Sequence, residues 1–180
     1  MSRLPLLALC ALLALSDSVA HAQSSARSPA EYICGAPDLA TLCKVIKAAG
    51  NGKGATRLKD TKAIDTIFAP LDGAFYTDAK KVAHELGLKT FEEIFTKQKA
   101  ADRLLQNIII PNQAITSAAF KSGTYKSLLG QKLTLSSAIF TKDKYVASEE
   151  IKATIKATDF EAGRSIIHKV DRVPVPDDFL

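Results

Sequence analysis

The sequence is poor in the residues and motifs that build catalytic and metal sites. Its 180 residues include three cysteines and three histidines, and no two cysteines form a C-x-x-C pair. Ser165 lacks the G-x-S-x-G frame of a nucleophile. The glycine-rich residues 50–54 follow a predicted helix, whereas a phosphate-binding loop follows a strand. We therefore expect no enzyme activity, no catalytic residue, no metal ligand and no cofactor.

A long apolar run is also missing after the first residues. Arg3 precedes an apolar run at residues 4–15, and the pattern Ala20-His21-Ala22 follows it, which is typical of a secretory signal peptide. The run is shorter than the roughly 20 residues that a membrane helix needs. Residues 176–180 form no hydrophobic tail for a glycolipid anchor. We predict a signal peptide at residues 1–22, no membrane span or anchor, and secretion to the cell surface, the cell wall or the periplasm.

Removal of the signal peptide leaves two cysteines, Cys34 and Cys43. Secretion places this pair in an oxidising compartment, where a disulfide is favoured over two free thiols. A redox or metal site is disfavoured because no histidine lies near either cysteine in the sequence. We predict a disulfide that ties the entering chain to the first helix. That helix is predicted over residues 38–49, with Asp38 as its N-cap.

The mature chain suits one folded domain. Roughly 155 to 160 residues can bury a sizeable core but leave little room for a second domain. Residues 23–30 are small and polar, so we predict a disordered leader there and a single domain over residues 31–180. Residues 151–158 alternate apolar and polar side chains, which predicts a strand with one buried face and one face in water.

Most predicted helices precede the predicted strands. A strand at residues 65–69 breaks at Pro70 and turns into a helix, with Asp72 placed to cap it. Helices follow at residues 75–86, 90–95 and 97–107, the second opening with a Thr90-x-x-Glu93 capping box. Strands are predicted at residues 108–110, 124–129, 132–136, 139–142, 145–147, 151–158 and 165–173. This order indicates an α+β fold with helices packed on antiparallel strands.

Two segments carry a family resemblance. Residues 65–75 read D-T-I-F-A-P-L-D-G-A-F, and residues 164–176 read R-S-I-I-H-K-V-D-R-V-P-V-P. They resemble the two signature segments of the fasciclin (FAS1) domain. The resemblance implies a FAS1 fold, a β-sandwich-like wedge of short antiparallel strands flanked by helices of the N-terminal half. The motif residues, which are structural and a candidate ligand surface, are Thr66, Phe68, Pro70, Asp72, Phe75, Ile167, His168, Val170 and Asp171.

Particular positions refine this resemblance. Alternation along residues 166–170 and the family pattern favour a structural role for His168, hydrogen-bonded beneath the first motif. Where the family usually has Tyr-His, this chain has Asn107-Ile108, and it contains no Arg-Gly-Asp. The resemblance therefore gives little support to the integrin-type adhesion of animal members.

The resemblance implies a secreted binding module for cell adhesion and for association with the extracellular matrix or the cell wall. The formal net charge of +5 is spread over scattered lysines, which favours an acidic glycan or an extracellular protein over nucleic acid as the partner. A second hypothesis stays open, because some algal proteins that resemble this family are water-soluble carotenoid carriers. The apolar residues on the signature segments would contact such a ligand or simply fill the core: Ile67, Phe68, Leu71, Ile108, Ile110, Ile167 and Val170.

Overall fold

The computed structural model describes residues 27–149 and 151–177, so the predicted signal peptide lies outside the described residues. Within this part of the chain the helices are α1 (Pro29–Gly35), α2 (Ala40–Ala49), α3 (Lys53–Lys59), α4 (Asp72–Glu85) and α5 (Gln98–Asn107), with 3₁₀ turns at Pro37–Leu39 and Phe91–Phe95. The strands are β1 (Asp65–Pro70), β2 (Ile109–Pro111), β3 (Gly123–Lys126), β4 (Lys132–Ser137), β5 (Lys144–Ala147), β6 (Lys152–Ala162) and β7 (Ser165–Val170). The predicted α+β order is confirmed.

A helix begins where the sequence predicts a disordered leader. Ser28 Oγ accepts a hydrogen bond from the backbone N–H of Glu31 at 3.2 Å, and Glu31 Oε2 accepts one from the N–H of Ser28 at 2.7 Å. This capping box satisfies free N–H groups at the start of α1. The leader prediction for residues 23–30 is therefore wrong at its end, where Ser28, Pro29 and Ala30 are buried.

The start of α2 is stabilised by a residue distant in the sequence. The predicted N-cap, Asp38, is not the cap; Leu39 occupies that position and offers no side-chain hydrogen bond. Asp38 instead accepts two hydrogen bonds of 2.8 Å from Lys169 Nζ. The N–H of Thr41 donates to Asp72 Oδ1 at 2.7 Å, so a carboxylate from another helix lies at the positive end of α2.

Two more predicted caps differ from the structure. Asp72 is the first residue of α4, Leu71 is in the N-cap position, and no side chain caps that helix. Thr90 makes no cap hydrogen bond either, and the segment after it is a 3₁₀ turn. The pattern at Asp72 located the start of α4, whereas the helix predicted at residues 90–95 is a 3₁₀ turn, and neither pattern revealed that Asp72 binds the start of α2.

The glycine-rich segment after α2 leads directly into α3, which the sequence did not predict. Gly50 ends α2 with a φ of +60°, as expected for a C-cap. Asp102 Oδ1 accepts hydrogen bonds from the N–H groups of Gly54 at 2.8 Å and Ala55 at 3.2 Å. A Cβ atom on Gly52 would lie 2.2 Å from the same carboxylate oxygen. The absence of side chains on these glycines therefore leaves space for a buried carboxylate that accepts hydrogen bonds from the start of α3. No local sequence pattern reveals this contact.

All seven strands belong to one sheet in the order β2-β1-β7-β6-β5-β4-β3. The sheet curls into a nearly closed wedge, and the helices of the N-terminal half lie on it. Each neighbouring pair is antiparallel except β1 and β7, which are parallel, with Thr66 opposite Ile166 and Pro70 opposite Val170. This parallel pair, which the sequence order did not predict, places the two signature segments side by side.

The predicted strand at residues 139–142 is absent. These residues form the turn between β4 and β5, with Lys142 in the left-handed region at a φ of +59°. Ile139 and Phe140 are 89% and 96% exposed. A short apolar run therefore marks a hairpin tip here, because tertiary position overrides β-propensity in so short a segment.

Two apolar clusters lie on opposite faces of the central strands. The helix-side core joins the helices to Ile67, Ala69 and Ile167. The strand-side core joins Phe68 and Val170 to residues of β4, β5 and β6. This division follows the period of two along β1 and β7, because successive side chains of a strand point to opposite faces.

The structure contains the disulfide between Cys34 and Cys43, with the two Cα atoms 4.9 Å apart. It joins α1 to α2 beside the helix-side core, where Cys43 is 7% exposed. Among the described residues, no helix combines the length and apolar character that a membrane crossing requires.

We predict that Cys34→Ala combined with Cys43→Ala lowers the free energy of unfolding by up to about 3 kcal/mol without changing the fold. The reason is that the bridge restricts the unfolded chain, whereas the core residues remain. Urea denaturation followed by circular dichroism measures the change. An oxidised parent no more stable than the double variant would contradict the prediction.

Candidate functional site

The two signature strands form the centre of the candidate site. In the parallel β1–β7 register Phe68 lies opposite His168, and their rings stack with centroids 5.8 Å apart. Asp65 N donates to Ser165 Oγ at 3.1 Å, and that hydroxyl donates to the carbonyl oxygen of Ala63 at 2.8 Å. Buried polar groups therefore fix the register at one end of the pair.

His168 is fully buried and holds two other segments. Its Nε2 lies 2.8 Å from the carbonyl oxygen of Ile115, and the N–H of Asp159 donates to its Nδ1 at 3.3 Å. This pattern assigns the proton to Nε2 and a neutral ring. Burial lowers the pKa of His168, outweighing the Ile115 hydrogen bond and the nearby Asp159 carboxylate, which raise it. The geometry is that of a structural histidine.

Thr66 holds the same segment from the other signature strand. Its Oγ1 donates to the carbonyl oxygen of Gln113 at 2.7 Å and accepts from the N–H of Ile115 at 2.9 Å. Thr66 and His168 thus clamp residues 113–115 against the sheet. The Thr66 hydroxyl is used entirely in this clamp, whereas His168 contributes Nε2 to it and accepts a hydrogen bond from Asp159 through Nδ1.

The other motif residues also stabilise the fold. Asp171 Oδ1 accepts from the N–H of Thr154 at 2.7 Å, and Oδ2 lies 3.2 Å from Lys156 Nζ. Burial raises the pKa of Asp171, but the hydrogen bonds from Thr154 and Lys156 outweigh it and lower the pKa. Phe75 packs on Phe91 with ring centroids 5.8 Å apart. Pro70, Ile167 and Val170 are buried, and Asp72 binds α2 as described above.

Asp78 is a buried carboxylate that the sequence reasoning missed. It pairs with the Arg172 guanidinium through three N–H···O contacts and accepts a hydrogen bond from the N–H of Val173 at 2.8 Å. Its spacing along the sequence could have identified it, because Ala74, Asp78 and Val82 lie on the buried face of α4. An acid at an apolar position indicates a buried partner.

Asn107 anchors the chain that follows β7. Its Nδ2 donates to the carbonyl oxygen of Pro174 at 3.0 Å, and Ser127 Oγ donates to its Oδ1 at 3.1 Å. The residue is fully buried. The position where the family usually has tyrosine is therefore part of an internal link in this chain.

A charged surface lies away from the signature strands. One open cavity of about 500 Å³ lies between α4 and the turn after it, and a second of about 570 Å³ lies between that turn and α5. They share Leu88 and Lys89, so we treat them as one surface, the basic groove. Its basic residues are Lys80, His84, Lys89, Lys97, Lys99 and Arg103, and its acidic residues are Glu92 and Glu93.

The sequence reasoning missed most of this groove. Apolar residues form part of its wall, among them Ala83, Leu88 and Ala100. The sequence did contain an indication of it, because four basic residues lie from Lys89 to Arg103. They are divided between a turn and a helix, so the sequence did not show that they share one surface. Only the packing of α4 against the Phe91–Phe95 turn brings Lys80 to the same surface.

Comparison with known proteins agrees with this architecture. The family model of the Fasciclin domain matches residues 37–176. The chain belongs to the fasciclin domain family. A Synechocystis sp. protein, Protein sll1483, is 28% identical over 170 residues, which cover 88% of this chain and 87% of that protein.

The fold comparison agrees as well. The FAS1 domain pair of the insect cell adhesion molecule fasciclin I superposes with a TM-score of 0.66 at 13% sequence identity. The match covers 83% of this chain and 51% of that chain. This chain therefore spans about half of the insect domain pair, and the likeness shows the fold.

We predict that His168→Ala lowers the free energy of unfolding by about 1 to 3 kcal/mol, because it leaves buried polar groups unpaired. The parent should also lose stability as the pH falls below about 6.5. The folded-state pKa of His168 is lowered, so its contribution is present above the unfolded pKa and disappears as the pH falls through the folded pKa.

Urea denaturation at several pH values between about 5 and 8 tests both statements. His84→Ala is the matched control, since the His84 side chain is 77% exposed. Equal pH profiles for the parent and His168→Ala would contradict the role assigned to the buried ring.

Proposed function

We propose that this fasciclin-family protein is an extracellular binding module that associates with the cell wall or extracellular matrix by recognising an acidic polysaccharide. The basic groove is the single observation that carries this proposal. It collects cationic side chains from α4, the following turn and α5 along two adjoining cavities. The family membership and the net charge of +5 agree with it.

The chemistry of the groove suits a chain of negative charges. Lys80, Lys89, Lys97 and Lys99 are exposed, so they can meet carboxylate or sulfate groups without the loss of hydration that burial would cause. Because the basic residues of the groove outnumber Glu92 and Glu93, it also attracts a negatively charged polymer over about 8 to 10 Å at ordinary salt concentrations. Such contacts are individually weak, and a polymer gains affinity by making several at once.

The adhesion part of the proposal has separate support. The insect molecule that shares the fold is named a cell adhesion molecule. An extracellular protein partner that bears acidic glycans would use the same groove. We expect no catalytic activity, because the polar groups of the signature strands are engaged in structural hydrogen bonds.

We predict that Lys89→Ala, Lys97→Ala and Lys99→Ala together weaken binding to immobilised polygalacturonate about tenfold, since three exposed charge contacts contribute about 0.5 kcal/mol each. Binding by the parent should also weaken steeply as salt rises from about 50 to 200 mM. Surface plasmon resonance measures both effects, with neutral dextran as the reference surface.

The matched control removes three exposed lysines from another part of the molecule: Lys121, Lys126 and Lys132. Both triple variants lose the same charge. An equal loss of affinity in the two would show that general charge attraction, without the groove, explains the binding. Absence of binding by the parent at low salt would reject the polysaccharide proposal itself.

The alternative, a carrier of an apolar ligand such as a carotenoid, has less support. Ile67, Phe68, Ile108, Ile110, Ile167 and Val170 are 0% to 1% exposed and pack in the two cores, and Leu71 is half-buried against the helix-side core. A ligand against the signature strands would have to displace these contacts. The burial supports their role as core.

We predict that the purified protein takes up no stoichiometric carotenoid, which absorption spectra recorded during a titration can measure. Uptake that shifts the absorption band, does not respond to salt and disappears in Ile167→Asn would make the carrier the primary function. The variant places an unpaired amide in an apolar site, at a cost of about 1 to 3 kcal/mol. Circular dichroism must show that the variant remains folded.

A further inference from the structure

A second polar cavity lies between β4, the end of β5 and the chain after β7. It has a volume of about 400 Å³. Two carboxylates, from Glu149 and Asp177, and the hydroxyl side chains of Ser148 and Thr134 line it. This acidic composition is opposite to that of the basic groove.

The backbone of Asp177 is held rigidly at this cavity. Its N–H donates to Gln131 Oε1 at 2.9 Å, and its carbonyl oxygen accepts from Gln131 Nε2 and Arg103 Nη2, each at 2.9 Å. These bonds engage the main chain. The carboxylate oxygen Oδ1 is buried and has no hydrogen-bond partner among the described residues.

Ser148 provides a second, independent indication of a ligand. The residue is 8% exposed, and its Oγ is buried without a hydrogen-bond partner in the part of the chain that the structure describes. Buried hydroxyl groups are nearly always paired in native proteins. The cavity is therefore lined by an unpaired hydroxyl and an unpaired carboxylate oxygen, and it is wide enough for an ion and water. Both oxygens can act as ligands of a cation.

The charges at the cavity point to a cation. The carboxyl groups of Asp177 and Glu149 line the same cavity. Two carboxylates that lie together repel each other unless a proton or a cation comes between them. Lys132 is the cationic residue among those that line the cavity, and it is exposed.

We propose that this cavity binds Ca²⁺ through the carboxylates of Asp177 and Glu149 and the hydroxyl of Ser148, with water completing the coordination. Calcium takes six to eight oxygen ligands in flexible geometry, and sites in extracellular modules bind it with dissociation constants of about 0.1 to 1 mM. Among the described residues no group of three or more His, Cys, Asp and Glu side chains forms a metal site. Two carboxylates with a hydroxyl therefore indicate weak binding of a hard cation.

A bound cation would tie the chain after β7 to the turn between β5 and β6. Calcium should then stabilise the folded state, because a ligand that binds only the folded form shifts the unfolding equilibrium. We expect the melting temperature of the mature protein at pH 7.5 to rise as Ca²⁺ increases from zero, in EDTA, to about 10 mM, with half of the shift near 1 mM. Isothermal titration calorimetry of the parent should give the same affinity.

Variants locate the site. Asp177→Asn and Glu149→Gln should each abolish the calcium-dependent shift, whereas Lys132→Ala should strengthen calcium binding because it removes a competing positive charge. Asp143→Asn is the matched control, since Asp143 is an exposed carboxylate on the β4–β5 turn. It should keep the full response.

The two carboxylates could instead share a proton only. In that case calcium would leave the melting temperature of the parent unchanged and produce no calorimetric signal, which would overturn the proposal. A shift that persists in both Asp177→Asn and Glu149→Gln would overturn it as well. Calorimetry on the parent keeps the test decisive even where a variant fails to fold.

Discussion

The parallel pairing of β1 with β7 is the contact on which the rest of the molecule depends. It joins residues 100 positions apart, since Asp65 N binds Ser165 Oγ. The pair lies between the helix-side core and the strand-side core, and its alternating side chains supply both. Because the backbone is buried on both faces, every polar group there must find a protein partner. The hydroxyl of Ser165 and the ring of His168 meet part of this requirement.

Buried carboxylates fix the remaining segments to this centre. Asp78 holds the chain after β7, Asp102 starts α3, and Asp65 pairs with Arg57 at 2.7 Å. A buried charge is tolerated when ion pairing and hydrogen bonds compensate for lost hydration, and removal of one partner is then strongly destabilising. These acids make a single arrangement of the segments favourable, which apolar packing alone would specify less sharply.

The fold also separates the charges of the surface. Basic side chains line the groove from α4 to α5, whereas two carboxylates line the cavity beside β4. Arg103 of α5 lies between these regions, since it lines the groove and binds the carbonyl oxygen of Asp177. The two proposed ligands, an acidic polymer and a calcium ion, would therefore bind at surfaces that Arg103 connects through its hydrogen bond to the Asp177 backbone. Neither surface includes the signature strands, whose side chains lie in the two cores.

The sequence by itself determined the features that depend on local or compositional signals. Periodicity and turn residues located most helices and strands, the two signature segments identified the family, and the cysteine pair gave the disulfide between Cys34 and Cys43. Alternation together with the family pattern predicted His168 as a buried structural residue, and its side chain is buried. These signals suffice where neighbours along the chain determine the outcome.

Only the tertiary structure decided which distant groups meet. Asp38 accepts hydrogen bonds from Lys169, and Asp72 accepts one from Thr41, whereas local capping rules predicted other partners for both carboxylates. The β1–β7 pair is parallel, and Asp102 accepts hydrogen bonds at the start of α3. Residues 139–142 form an exposed hairpin tip. The tertiary structure also brought the lysines of the groove and the carboxylates of the cavity together. The physical reason is that hydrogen bonding and electrostatics depend on separation in space, which a sequence pattern specifies only within a helix or a strand.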